Sequence, residues 1–392
     1  MTAYSYIPLI TTRSSSFSDT DLQALEDWSE EERKNVCLTI WVDSMILRIA
    51  ICPAKNAKKA IYLPETTVNK VQDVHESYEG LHNAFARYHC QVVFSTMSFA
   101  GPVSQDHVVI TNWSCEASDR VIHFASLPFD LFPLDRRMFM NDLEAASYGL
   151  LAKYLNNTIS EIFVPLWNCD AVGKPIVLDG SSAVVWIGDG FGVSYICRNE
   201  SSEHNCVVSS ESGHGQCFIC APTDPLYELE YSLIKFVSHK IYAGSHQPEW
   251  EDLNSLRGCE IIYRFLKQKQ GIKLPEWPKY DRIRSLAINN EDPDAELAFR
   301  IHYRFILRSV QSCALGIQCQ RMFIISEYHV KNMELIYRFA DDMKDTFEDH
   351  PRADWFRKIT VYSQCKSSQF ALSGGLFLSR IYAVAHQNEI SF

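Results

Sequence analysis

The sequence predicts an α/β protein, and three observations predict it. Runs rich in β-branched and aromatic residues alternate with stretches whose apolar residues recur at helical spacing. The chain has 392 residues, more than one core ordinarily serves, so two domains or one large two-lobed unit are expected. Hydrophobic residues make up 46% and charged residues 22%, which is globular composition and excludes a disordered or collagenous chain.

The elements follow in order. A Ser-rich stretch, Ser14 to Ser18, leads into the acidic run from Asp19 to Trp28, where Ser18 and Asp21 resemble a capping box and Leu22, Leu25 and Trp28 fall on one helical stripe. This predicts a short appended helix in an extension of about 35 residues, docking on its own body or on a protein partner. From Val36 the pattern turns to β. Leu38–Val42 and Met45–Ile51 flank the polar pair Asp43-Ser44, which predicts a hairpin. A helix over Val71 to Tyr88 precedes a strand over Gln91 to Phe94, and a β-rich segment, His107 to Asn112, follows Gly101-Pro102. Then come a helix over Asp142 to Leu155, strands over Ala183–Ile187 and Val193–Cys197, and helices over Leu226–Ile241, Leu256–Gln268, Asp294–Cys313 and Met333–Phe347. The Lys/Gln/Pro stretch Lys267 to Lys279 reads as a surface connection. No internal repeat stands out.

Composition narrows the function. Lys+Arg number 37 against Asp+Glu 48, a formal charge of −11, which argues against nucleic acid as the main partner. No apolar run approaches the roughly 18 residues that span a bilayer, and the patch near Tyr6 to Ile10 is too short for a secretory signal, so no membrane partner and a cytoplasmic location are expected. Thirteen cysteines, an odd number scattered along the chain, read as small buried hydrophobes of a reducing compartment. His204, Cys206, His214, Cys217 and Cys220 crowd together, yet Cys217-Phe218-Ile219-Cys220 reads as a β-like run that turns residues three apart to opposite faces. No metal site is therefore expected there.

Four segments carry the chemistry. They are Met140-Asn141-Asp142-Leu143-Glu144-Ala145 after the Leu131-Phe132-Pro133 turn, Gly188-Asp189-Gly190-Phe191-Gly192 between two strands, Glu211-Ser212-Gly213-His214, and Trp250-Glu251-Asp252 leading to Gly258-Cys259-Glu260. In this order and spacing the chain resembles the glucokinase family, the bacterial and protist-type group of the actin-like ATPase superfamily of sugar kinases. The resemblance runs from about Val36 to Ala383.

A hexose hydroxyl is a poor nucleophile at neutral pH, so a phosphotransferase needs a carboxylate to accept its proton. Asp142, at the mouth of a predicted helix, is the candidate base; the plainer reading is that Asn141-Asp142 only caps that helix. The resemblance implies that Asn141 holds a sugar hydroxyl while Asp142 acts as base. It implies further that Glu211, His214 and Glu251 bind sugar and that Thr111-Asn112-Trp113, with Asn112, forms the first sugar-side loop. For Glu211 and His214 the alternative is a polar surface loop.

The nucleotide side departs from the family. Where the family has an Asp-x-Gly-Gly-Thr phosphate turn, this chain has Trp41-Val42-Asp43-Ser44-Met45-Ile46, without glycine. Asp43 could still approach a metal. The second phosphate loop keeps Gly188, Gly190 and Gly192 as cofactor-binding candidates, but Asp189 stands where the family has a small hydroxyl residue. In the adenosine motif the family has paired glycines after a strand, whereas this chain continues Phe323 to His329, with bulk and charge where the nucleotide's sugar and base would lie.

The resemblance implies two α/β lobes around a central cleft. The small lobe would span about 36–140 with a final helix at 369–383 returning to it, and the large lobe about 141–368. Three functions are expected in order: a hexose-binding protein, for glucose above all, with weak or lost ATP-dependent phosphorylation and a sugar-responsive or scaffolding role; an active ATP:glucose phosphotransferase using Mg-ATP, with Asp142 as base and the metal near Asp43; and a purely structural subunit. A homodimer is expected only by analogy with the family.

Overall fold

The computed structural model describes residues 19–43, 45–110, 113–167, 173–198 and 205–389. The chain divides into two compact units, one reaching to Ala152 and resuming at Gln369, the other running over Lys153–Ser368.

In the first unit, alternating apolar runs build a mixed sheet. Val36–Asp43 and Ile46–Pro53 form the predicted hairpin, in antiparallel register with Asp43 opposite Ile46, so Asp43 belongs to the strand rather than to the expected polar turn. Val92–Phe99 adds parallel to Val36–Asp43, and Arg137–Asn141 adds parallel to Val92–Phe99. The sheet order is Ile61–Tyr62, Ile46–Pro53, Val36–Asp43, Val92–Phe99, Arg137–Asn141, with Thr66–Thr67 also pairing to Ile46–Pro53. The parallel strands bring the Val42–Asp43 end, Phe99 and Asn141 to one edge, the carboxyl edge where open α/β sheets place their sites.

Helices Val71–Tyr88 and Asp142–Leu155 have the predicted limits, and Phe370–Glu389 closes the unit. That last helix can lie against Asp142–Leu155 only because Gly374 has no side chain: a Cβ there would stand 1.8 Å from the Ala145 carbonyl oxygen.

The acidic N-terminal segment departs from expectation. Asp19–Asp27 winds as a 3₁₀ helix, and the capping box belongs to the next short helix, Glu30–Arg33, where Ser29 and Glu32 cap each other. Leu22, Leu25 and Trp28 are buried in the core of the first unit. The stripe expected to serve its own body or a protein partner is therefore spent on its own body. Spacing of three residues is the 3₁₀ period, which lines all three up on one side.

The second unit repeats the topology of the first. Ser182–Ile187 and Phe191–Arg198 form a hairpin, Asn205–Ser210 extends it, and Arg321–Ile325 and Thr360–Gln364 add in parallel on the other side. The short Phe163–Pro165 strand caps the far edge. Here too one edge gathers the hairpin turn, the end of Arg321–Ile325 and the end of Thr360–Gln364.

Helices over Tyr227–Tyr242, Trp250–Asn254, Leu256–Lys269, Tyr280–Ile288 and Pro293–Gly316 supply a large apolar core. The stretch predicted as one helix over Met333–Phe347 is two, Met333–Arg338 and Ala340–Glu348, broken at buried Phe339. Among the described residues no helix is long and apolar enough to cross a membrane.

Candidate sugar and phosphate site

In the first unit, Asn141 ends a strand and Asp142 opens the helix behind it. The Asn141 side chain caps that helix, its Oδ1 accepting from the Leu143 N–H at 2.8 Å while its amide donates to the Gly101 carbonyl at 3.0 Å. Capping leaves one amide hydrogen and one lone pair for a ligand. The plain capping role is therefore real and still compatible with a sugar contact.

Asp142 is half-buried, and its pKa is pushed up to about 7. Burial is the main cause and the neighbouring Asp43 charge the second; the Leu143 N–H, the Trp41 indole and its own N–H partly oppose them.

Asp43 is committed to its neighbours. Its Oδ2 lies 2.9 Å from Arg48 Nη1, and Arg48 Nε lies 2.7 Å from Glu65 Oε1. The Arg48 guanidinium also covers Trp41, 4.5 Å from the ring centroid, across the ladder pair Trp41–Arg48. Trp41 is 4% exposed. A bulky indole, an arginine and a carboxylate thus fill the hairpin end where a phosphate turn would offer glycine amides. Asn112 and Ser44 lie outside the described residues; Trp113, beside Asn112, is buried in the first unit's core.

In the second unit, Gly188, Asp189 and Gly190 form a tight turn closed by a bond from the Gly188 N–H to the Gly190 carbonyl at 2.9 Å. Gly192 is not part of that turn: the strand begins at Phe191, and Gly192 sits in the ladder opposite Trp186. Asp189 is exposed at the tip. The Phe191 N–H donates to Glu251 Oε2 at 3.3 Å, and Glu251 Oε1 pairs with Arg257 at 3.3 Å.

Glu211, His214 and Glu251 come together. Glu211-Ser212-Gly213-His214 follows the Asn205–Ser210 strand and coils into a single 3₁₀ turn packed under Phe191. A Cβ on Gly213 would stand 2.1 Å from the Phe191 carbonyl oxygen, so only glycine lets the turn seat there. His214 Nδ1 lies 2.7 Å from Glu249 Oε2, and its Nε2 lies 3.7 Å from Glu211 Oε2. Its pKa is raised by the hydrogen bond to Glu249 and by the charges of Glu249, Glu251 and Glu211, against a smaller burial effect. The side chains of Glu211 and His214 keep 68% and 54% of their surface exposed. The result is a polar, largely open patch of three carboxylates and one imidazole, suited to hydroxyl groups that both donate and accept.

Sequence reading missed Glu249. Its signal was an acidic residue three before Asp252, and the two side chains cap each other at the start of Trp250–Asn254.

Glu327 opens the helix Glu327–Lys331 and is held inward. Gln364 Nε2 donates to its Oε1 at 2.8 Å, Ser367 Oγ to its Oε2 at 2.7 Å, and the Ser368 N–H to its Oε1 at 3.2 Å. The Cys217–Cys220 stretch forms no strand beyond an isolated bridge at Gln216, contrary to the β-like run expected. His204 lies outside the described residues. Among the described residues no cluster of three His, Cys, Asp or Glu side chains could hold a metal.

A family model described as Glucokinase matches residues 47–361. Glucokinase 1 of Trichomonas vaginalis is 29% identical over 377 residues, covering 95% of this chain and 100% of the relative. Probable glucokinase 2 of the same organism is 27% identical over 379 residues, covering 94% and 98%. The structure of a Balamuthia mandrillaris glucokinase in complex with glucose matches with a TM-score of 0.85 at 22% identity, over 93% of this chain and 100% of that one. Leishmania braziliensis glucokinase matches at 0.73 and 19% identity, over 92% and 97%. These likenesses establish the two-lobed actin-like ATPase fold of the sugar kinases. With the family model matching most of the sequence, the chain belongs to the glucokinase family.

Proposed function

We propose that this glucokinase-family protein binds a hexose, glucose above all, and phosphorylates it weakly or not at all. The hexose contacts are assigned to Asn141 and Asp142 of the first unit and to Glu211, His214 and Glu251 of the second, with Asn112 from the first sugar-side loop. The observation that carries the reading is the Trp41–Asp43–Arg48 group. The residues of the phosphate-side elements do not fit Mg-ATP: in the first unit Asp43 is paired with Arg48 and the hairpin end has no glycine amides, and in the second unit the carboxylates Asp189 and Glu327 carry the wrong sign for phosphate. Loss of one oriented donor costs on the order of 10²-fold in rate, and several such losses compound. A protein of this kind serves as a sugar-responsive or scaffolding subunit, and the cytoplasm is its proposed location.

One observation favours a second reading, an active ATP:glucose phosphotransferase. A carboxylate pKa pushed up to about 7 is well matched to a general base working near neutral pH. Turnover decides between them. With glucose and Mg-ATP in a coupled assay, the first reading predicts at most trace sugar phosphate, whereas rapid turnover that vanishes in Asp142→Asn establishes the second.

A further inference from the structure

We propose that Glu249 is a positioning residue for the sugar site: it holds the proton on His214 Nδ1 and so turns the Nε2 edge of the ring toward an incoming hydroxyl. The proposal rests on the hexose-binding reading of Glu211, His214 and Glu251 and adds a residue to it.

The geometry is specific. A carboxylate can only accept, so at 2.7 Å the His214 Nδ1 must be the donor to Glu249 Oε2. In the neutral ring this leaves Nε2 as an acceptor for an O–H group, and in the charged ring the same edge becomes a donor. Nε2 stands 3.7 Å from Glu211 Oε2, beyond a direct hydrogen bond, so that edge is not consumed by its nearest carboxylate.

Glu249 is itself held on three sides. Its side chain accepts from the N–H of Asp252 at the start of the Trp250–Asn254 helix. Its own N–H donates to Asp252 Oδ2 at 2.9 Å, an oxygen that also takes the Tyr242 hydroxyl at 2.8 Å. On the histidine side the backbones are tied together: the Trp250 N–H donates to the Gly215 carbonyl at 2.8 Å, and Gln216 bridges Glu249. An imidazole otherwise free to flip or change tautomer is thereby fixed by a helix cap, the arrangement by which outer-shell carboxylates orient working histidines. The charged groups facing the ring are Glu249, Glu251 and Glu211, all acidic, and Glu251 is also paired with Arg257.

Glu249→Gln tests the assignment. The glutamine oxygen can keep the helix cap while its NH₂ group faces Nδ1, which favours the opposite tautomer without unfolding the turn. Ring ¹⁵N shifts of His214, followed against pH in the ligand-free full chain, are expected to show Nδ1–H in the wild type. In Glu249→Gln the expectation is a lower titration midpoint and Nε2–H, and Glu249→Asp, which keeps the charge, should return the midpoint toward the wild type. Glucose affinity by calorimetry is expected to fall about tenfold in Glu249→Gln. An unchanged tautomer and midpoint in Glu249→Gln overturns the proposal. Wild-type protein that binds no glucose overturns the hexose reading instead, while the ring titration still decides the role of Glu249.

Discussion

The sugar-side cluster and the phosphate-side elements are built from the same residue types and end in opposite conditions. In the cluster around Gly213, Glu211 and His214 keep more than half of their side-chain surface exposed. Around Trp41, Asp43 and Arg48, and again at Glu327, the charged groups are tied to one another or to neighbouring donors. A binding site needs groups whose hydrogen bonds await a ligand. By that measure the first region is the more open to a ligand and the second has turned inward, and the proposed function rests on this contrast, since a shared fold does not by itself fix what each site does.

The contrast can be broken at its packing first. Gly213→Ala drives a Cβ into the Phe191 carbonyl, so it should cost about 3 kcal/mol and abolish measurable glucose binding. Thermal unfolding and calorimetry check this, and a variant with wild-type values would remove the proposed seat of the sugar turn.

Asp142→Asn probes the first unit by its pH dependence. Burial holds the proton on Asp142 in the folded state up to about pH 7, whereas an unfolded aspartate gives it up near its usual value of about 4. The unfolded state therefore gains on the folded one as pH rises through that window. Urea unfolding should show Asp142→Asn more stable than wild type by on the order of 1–3 kcal/mol at pH 8, with the gain fading as pH approaches 4. A gain of constant size across the window would contradict the buried, proton-holding carboxyl.

Glu211→Gln should weaken glucose binding by about tenfold with little change in stability, because the residue is exposed and its interaction with His214 is long. Unchanged affinity would move the sugar site elsewhere. The smallest effect is expected at the tip of the glycine turn. Asp189→Ser should change stability by less than about 0.5 kcal/mol and should not confer Mg-ATP binding, since the Trp41–Arg48 group remains. Gain of Mg-ATP affinity in that variant would show that one carboxylate, rather than the filled hairpin end, kept nucleotide out.

Much of the fold was legible because period and boundary coincide. Val71–Tyr88 and Asp142–Leu155 have the limits that apolar spacing predicts. The repeated sheet topology was not legible, since it resides in the order in which strands pair, which no local pattern records. The Cys217–Cys220 stretch misled because an apolar run need not be a strand, and here Cys220 is buried while Phe218 stays exposed; Met333–Phe347 misled because its helical spacing conceals a break at Phe339.

For the candidate site, the family resemblance singled out Glu211, His214 and Glu251, which the structure brings together. Their partners depend on which elements meet. Glu249 and His214 are 35 residues apart, and no local pattern joins them. Arg48 was equally silent, an arginine in a strand until the hairpin register set it over Trp41.

Titration calorimetry of the full chain, with glucose and separately with Mg-ATP, tests the central claim most directly. Glucose should bind with a saturable heat whose affinity falls about tenfold in Glu211→Gln, and Mg-ATP should give no heat above dilution with or without glucose. Saturable Mg-ATP binding, or no glucose binding at all, would contradict it.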